Sequence, residues 1–185
     1  MRLVILGRQG SGKGTQSTRI VENFGLVHVS TGDMLRAAVS AGSGLGAKAK
    51  AIMDAGDLVP DDLMNEIVAE RLSHPDVVAH GVLLDGFPRT TTQAAELEAM
   101  LGDGGVDAAI NLDVPVQAVT ERMLARGRAD DTAEAIARRL ELYENQTAPL
   151  LEWFDERGVL HTVDGIGDEH EVFDRICAVL TSVDS

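Results

Sequence analysis

Gly7-Arg8-Gln9-Gly10-Ser11-Gly12-Lys13-Gly14-Thr15 follows directly on a short apolar run at residues 3–6 and leads into a helix-like stretch at 16–24. Strand, glycine loop and helix in that order are the setting in which a phosphate cradle is built. Glycines let successive backbone N–H groups converge on an anion with no Cβ in the way. The following helix adds its unpaired N–H groups and the positive end of its dipole. Lys13 supplies a mobile full charge for the outer phosphates. The hydroxyl usual just after the lysine comes one place later, at Thr15, with Gly14 between. A glycine-rich surface turn holding a chance lysine is the alternative, and the flanking elements weigh against it.

Outward from this loop, short apolar runs alternate with longer helix-period segments. Residues 3–6, 27–29, 82–84, 108–112 and 159–163 read as buried strands. Stretches rich in Ala, Leu, Glu and Arg at 92–101, 116–124 and 133–153 suit helices. Pro60 and Pro115 stand where a helix can begin, since a missing N–H costs least there. The alternation predicts an α/β fold with a mainly parallel sheet and helices on both faces, because parallel neighbours need crossover connections. About fifty residues separate the second and third strands, too many for one crossover helix. They predict a helical insertion near residues 30–59, punctuated by Gly42-Ser43-Gly44-Leu45-Gly46 and Gly56-Asp57. A smaller polar excursion covers residues 126–132.

The length of 185 residues suits one compact domain. With 16 basic and 30 acidic side chains the formal charge is −14, which disfavours nucleic acid and anionic lipid as partners but leaves small anionic ligands open. The cations are unevenly drawn: Lys13, Lys48 and Lys50 are the only lysines, and the other 13 are arginines. Cys177 is the single cysteine, so neither an intramolecular disulfide nor a cysteine-held zinc is expected. His28, His74, His80, His161 and His170 have no metal-ligand spacing and read as surface or structural residues. With no signal-like or membrane-spanning apolar run, the expectation is a soluble cytoplasmic protein that does not bind membranes.

The third strand ends in Val82-Leu83-Leu84-Asp85-Gly86. A carboxylate at the carboxyl end of a buried parallel strand faces the crevice where α/β sheets bind ligands. Beside a phosphate loop that is the place of a magnesium-associated aspartate acting through bound water. An ordinary Asp-Gly turn is the plainer alternative.

With these motifs in place, the sequence resembles the adenylate kinase family from Met1 to about Val179. The marks are Gly10-Ser11-Gly12-Lys13-Gly14-Thr15-Gln16, Ser30-Thr31-Gly32-Asp33-Met34-Leu35-Arg36, Asp57-Leu58-Val59-Pro60 and Asp85-Gly86-Phe87-Pro88-Arg89-Thr90 with Gln93. Arg122, Arg126-Gly127-Arg128-Ala129-Asp130-Asp131, Arg139 and Gly167 follow in order. The resemblance implies a P-loop fold with a five-stranded parallel sheet, an AMP-binding insertion at 30–59, a short lid at 126–132, and a core formed by 1–29, 60–125 and 133–185. It implies Mg²⁺-dependent exchange of a phosphoryl group among ATP, AMP and ADP, serving adenine nucleotide balance; a monomer is the default expectation.

The same resemblance distributes roles. Gly10, Ser11, Gly12, Lys13, Gly14 and Thr15 would hold the ATP phosphates, with Arg122, Arg126 and the backbone of Gly167 on the ATP side. Thr31, Arg36, Asp57, Leu58, Val59, Gly86, Phe87, Pro88, Arg89, Gln93, Arg128 and Arg139 would form the AMP side, with Gln93 at the adenine edge. Lys13, Asp85, Arg89, Arg126, Arg128 and Arg139 would carry the transfer, with Asp85 steadying the water shell of Mg²⁺. Several residues have plainer readings. Ser30 and Asp33 fit a helix cap, Pro88 a turn-shaping residue, Trp153 and Phe154 core, and Arg138, Lys48 and Lys50 solvated helix faces. The family loop usually has proline before its second glycine, where this chain has Gln9 after Arg8. Losing that φ restraint is expected to weaken ATP binding modestly. A kinase for UMP or CMP, and a GTP-dependent switch protein, are the rival functions. The switch protein is disfavoured because no Asn-Lys-x-Asp motif occurs.

Overall fold

A computed structural model describes residues 1–128 and 131–183. Five strands, β1 (Arg2–Leu6), β2 (Val27–Ser30), β3 (Val82–Asp85), β4 (Ala108–Asp113) and β5 (Leu160–Asp164), form one parallel sheet in the order β2-β3-β1-β4-β5. All five expected strands are present. Leu3 lies level with Leu83 and Ala108, and Ser30 with Asp85.

Successive side chains on a strand point to opposite faces, and here both faces are covered. Leu3, Ile5, Leu83, Ile110 and Leu112 pack with Ile20 of α1 (Lys13–Phe24) and Ile176 and Leu180 of α10 (Glu169–Val183). Val4, Leu6, Leu84 and Ala109 pack the other way, with Val68 of α4 (Asp61–Leu72), Leu97 of α6 (Thr91–Leu101) and Phe154 of α9 (Pro149–Asp155). Burial on two sides explains why the strands read as unbroken apolar runs. Truncating a fully buried member such as Leu83 to alanine costs roughly 2–5 kcal/mol.

The insertion consists of two helices. α2 (Thr31–Ser40) begins on Ser30, whose hydroxyl accepts from the Asp33 N–H at 3.3 Å, as the capping motif predicts. α3 (Gly44–Ala55) begins on Ser43, whose hydroxyl accepts from the Gly46 N–H at 3.0 Å. Gly46 lies so close to α2 that a Cβ would fall 2.1 Å from the Ala38 carbonyl oxygen. Any side chain there would pry the two helices apart.

α4 starts after Pro60 and α7 (Val116–Arg126) after Pro115, as expected. A short α5 (Pro75–His80) was not foreseen. The long helix expected at 133–153 is broken. It divides into α8 (Ala133–Leu142), a π-helical turn at Tyr143–Thr147, and α9. Pro149 has no N–H to continue an α-helical ladder, and just before it the Ala148 N–H reaches back to the Tyr143 carbonyl at 2.7 Å. Phe154 is core as expected, and Trp153 packs half-buried against the same core beneath the Arg157 guanidinium, 3.8 Å from its ring centre. Of the excursion at 126–132, Ala129 and Asp130 lie outside the described residues.

Candidate active site

The carboxyl ends of the strands carry the glycine loop after β1, Ser30 on β2 and Asp85 on β3. Gly10 holds φ +85°, and a Cβ there would stand 2.7 Å from the Val119 carbonyl oxygen, so the loop lies directly against α7. Lys13 folds back over the loop, its Nζ donating to the carbonyls of Gly7 at 2.7 Å and Arg8 at 3.0 Å. Burial is the main force lowering its pKa from 10.5 to about 8; Asp85 opposes the shift, and Arg89 and Arg126 add to it. A polyanion beside Lys13 would raise that pKa again.

Asp85 is its electrostatic counterweight. Burial favours the neutral acid, but His28, Lys13 and Arg89 outweigh it and hold the carboxyl below the usual range. His28 has been read as a surface or structural residue, yet β2 places its Nε2 3.7 Å from Asp85 Oδ2. That distance stops short of a hydrogen bond.

One cavity of about 420 Å³ gathers most of the residues singled out in the sequence. Gly10, Gly12, Lys13, Gly14 and Thr15 line it together with Asp85, Leu58, Gly86, Pro88 and the arginines Arg36, Arg89, Arg122, Arg126, Arg128 and Arg139. A smaller cavity of about 70 Å³ adjoins it, lined by Thr31, Asp57, Leu58, Val59, Gly86 and Gln93, and shares Arg36, Arg89 and Arg139. Ser11, Phe87 and Gly167 line neither cavity. Ser11 is buried, Phe87 belongs to the core, and Gly167 lies between β5 and α10.

The arginines are held in place individually. Arg89 donates from Nε to the Gly86 carbonyl at 2.8 Å and from its backbone N–H to Gln93 Oε1 at 2.7 Å. The Thr147 hydroxyl donates to the Arg89 carbonyl at 2.9 Å. Burial lowers the Arg89 pKa; Asp85 opposes this, and Arg139 and Arg36 reinforce it. Gln93 also donates from Nε2 to Asp61 at 2.7 Å, which leaves one amide N–H and one oxygen lone pair for a base edge. Arg36 pairs with Asp33 at 2.5 Å.

Asp131 is the hub that the sequence did not reveal. Its carboxylate has no solvent exposure and takes two hydrogen bonds from Arg126, both at 2.8 Å, and one from Arg139 at 3.0 Å. Burial pushes its pKa up, but Arg126, the Arg128 backbone N–H and Arg139 together bring it below the usual carboxylate value. Arg139 also donates to the Met53 carbonyl at 3.1 Å, tying α8 to α3. Arg138 is exposed on its helix face, as expected, and there its Nε meets Asp57 at 2.7 Å and its Nη1 meets Glu141 at 3.0 Å. At the phosphate loop, Arg8 pairs with Glu144 at 2.6 Å and stacks on Tyr143, 5.1 Å from the ring centre. The signal for Asp131 was its place five residues after Arg126 and eight before Arg139, within reach of both once the chain turns into α8.

Among the described residues no group of His, Cys, Asp and Glu side chains is arranged to hold a metal, and no helix is long and apolar enough to cross a membrane. A buried cation on a glycine loop, one ionised carboxylate and a ring of guanidinium groups can grip two phosphate chains at once.

Comparison with known proteins agrees with this arrangement. A family model described as adenylate kinase matches residues 5–159. An adenylate kinase of Stenotrophomonas maltophilia (strain R551-3) is 48% identical over 186 residues, covering 97% of this chain and 99% of its own. Adenylate kinases of Mycobacteroides abscessus and Nocardia farcinica are 49% and 48% identical over 182 residues, with the same coverage. With the matched region spanning most of the sheet and both cavities, the chain belongs to the adenylate kinase family.

Proposed function

We infer that the chain is an adenylate kinase, moving the γ-phosphoryl group of ATP to AMP, reversibly, to give two molecules of ADP. The observation that carries the reading is the convergence of Lys13, Asp85 and six arginines on one cavity. In this reading the loop from Gly10 to Thr15, with Arg122 and Arg126, takes the ATP phosphates. Ser11 acts through the loop backbone and Gly167 through the backbone of the adenine seat. The smaller cavity takes AMP, with Thr31, Asp57, Leu58, Val59 and Gln93 around the base and Arg36, Arg89, Arg128 and Arg139 around its phosphate. Gly86, Phe87 and Pro88 shape the turn that presents Arg89. The helices of the 30–59 insertion and the 126–132 segment cover the two nucleotides.

The AMP phosphate is already ionised, so no strong general base is required. An AMP oxygen forms the new bond to the γ-phosphorus as the bond to the β,γ-bridging oxygen breaks and ADP departs. The chain's task is to align two anions and exclude water as a competing acceptor. Lys13 and the arginines stabilise charge on the phosphate oxygens, each charge-assisted hydrogen bond contributing roughly 1.5–3 kcal/mol.

Asp85 fits a hydrated divalent cation. It is ionised, lines the cavity, and has no hydrogen bond from His28 to tie up its oxygens. Asp85 would hold Mg²⁺ through its water shell, and the ion would neutralise part of the phosphate charge. The same reading has the enzyme work as a cytoplasmic monomer in adenine nucleotide balance.

Profiling AMP, UMP, CMP and GMP as acceptors with Mg·ATP tests the assignment. AMP is expected to give the highest kcat/KM, and a preference for UMP or CMP would overturn it.

A further inference from the structure

The side chains that line both cavities are those of Gln9, Leu58, Arg36, Arg89 and Arg139; the remaining shared lining is glycine. Gln9 is therefore the uncharged polar group at the seam where one phosphate chain would meet the other. Its carboxamide has no hydrogen-bond partner among the described residues, although the side chain is only half-exposed. Its neighbours are both fixed. Arg8 is tied to Glu144 at 2.6 Å, and Gly10 lies against the Val119 carbonyl. A half-buried amide with unused donors, on backbone held between two anchored residues, is available to a ligand oxygen in the cavity.

We propose that Gln9 is a catalytic residue of this chain whose side-chain N–H donates to the phosphoryl group passing between ATP and AMP. The proposal rests on the adenylate kinase reading above. No proton is transferred: the amide donates a hydrogen bond while the AMP oxygen bonds to phosphorus and the bond to the ADP oxygen breaks. The proline usual at this place in the family has no such donor. A donor aimed at the transferring group gains strength as charge shifts in the transition state, and so acts on kcat more than on ground-state binding.

The test compares full-length wild type, Gln9→Ala and Gln9→Glu with Mg·ATP and AMP. It measures kcat, both KM values, Tm and inhibition by a dinucleoside pentaphosphate carrying adenosine at each end, whose phosphate chain spans both cavities. Gln9→Ala is expected to lower kcat about tenfold, keep both KM values within about twofold, leave Tm unchanged and weaken the bridging inhibitor about tenfold. Gln9→Glu keeps the length but sets a carboxylate against the phosphates, and its kcat is expected to fall further. A Gln9→Ala enzyme with wild-type kcat overturns the proposal. So does one in which both KM values rise and Tm falls together, since that pattern marks a residue that only shapes the loop. Failure of the underlying reading is separately visible, as a wild-type enzyme that does not phosphorylate AMP.

Discussion

Lys13 illustrates how a residue can serve function against stability. Its pKa in the folded protein is about 8 against 10.5 for an ordinary lysine, because its ammonium is buried among other cations. The folded state thus binds this proton less tightly than the unfolded chain. The resulting destabilisation is fully present below about pH 8 and fades as pH rises toward 10.5, where the unfolded chain also releases its proton. Its size is about 3 kcal/mol from the shift alone. Lys13→Met is expected to abolish phosphoryl transfer while leaving the nucleotide-free protein at least as stable at neutral pH. Its advantage over wild type should close as pH rises through that window. Calorimetry across the range checks the sign, and a variant clearly less stable than wild type at neutral pH would contradict it. In wild type, kcat/KM for ATP should fall above about pH 8 as the free enzyme loses this charge.

At the scale of elements, the π-helical turn Tyr143–Thr147 joins the two halves of the site. Arg8 reaches it from the phosphate loop through Glu144 and Tyr143, and Thr147 reaches Arg89 through its carbonyl. Glu144 is half-exposed, so the ion pair itself contributes only about 0.2–1 kcal/mol. The expected outcome of an Arg8→Ala, Glu144→Ala double-mutant cycle is a coupling in that range, with each single variant lowering kcat a few-fold and the double variant no further. Additive losses in kcat would show that the two side chains act separately.

The strands joined by these elements were legible because a parallel strand covered on both faces must be apolar along its length. The glycine loop was legible because backbone amides can surround a phosphate only where side chains are absent. His28 was not, since its meeting with Asp85 follows from the register that sets Ser30 beside Asp85 across 55 positions of sequence. The partner of Arg138 was hidden for a similar reason: Asp57 lies 81 positions away, and only the packing of α8 brings them together. The break at the π turn arises where Pro149 meets the packing demands of α9, a conflict that local helix preference does not reveal.

For the whole molecule, the contacts of Arg138 with Asp57 and Arg139 with Met53 fasten the insertion to α8 across the shared cavity. Parting of these contacts would open the cavity, which makes such a motion a candidate for the slow step. In a series of viscogens, kcat is expected to fall in proportion to relative viscosity; a flat response would place chemistry or another internal step in control. The overall charge of −14 does not oppose this function, because the acidic excess lies outside the cavity that the arginines line. Asp131 adds a consequence of its own. On the proposed function, its single carboxylate would be a placeholder for substrate, since it occupies Arg126 and Arg139 with one unit of negative charge. A weakly charged ion gains little by evicting it, whereas a nucleotide brings several charges on one chain. The clamp would thereby have an admission threshold, with its guanidinium groups kept from simple anions that carry a single charge.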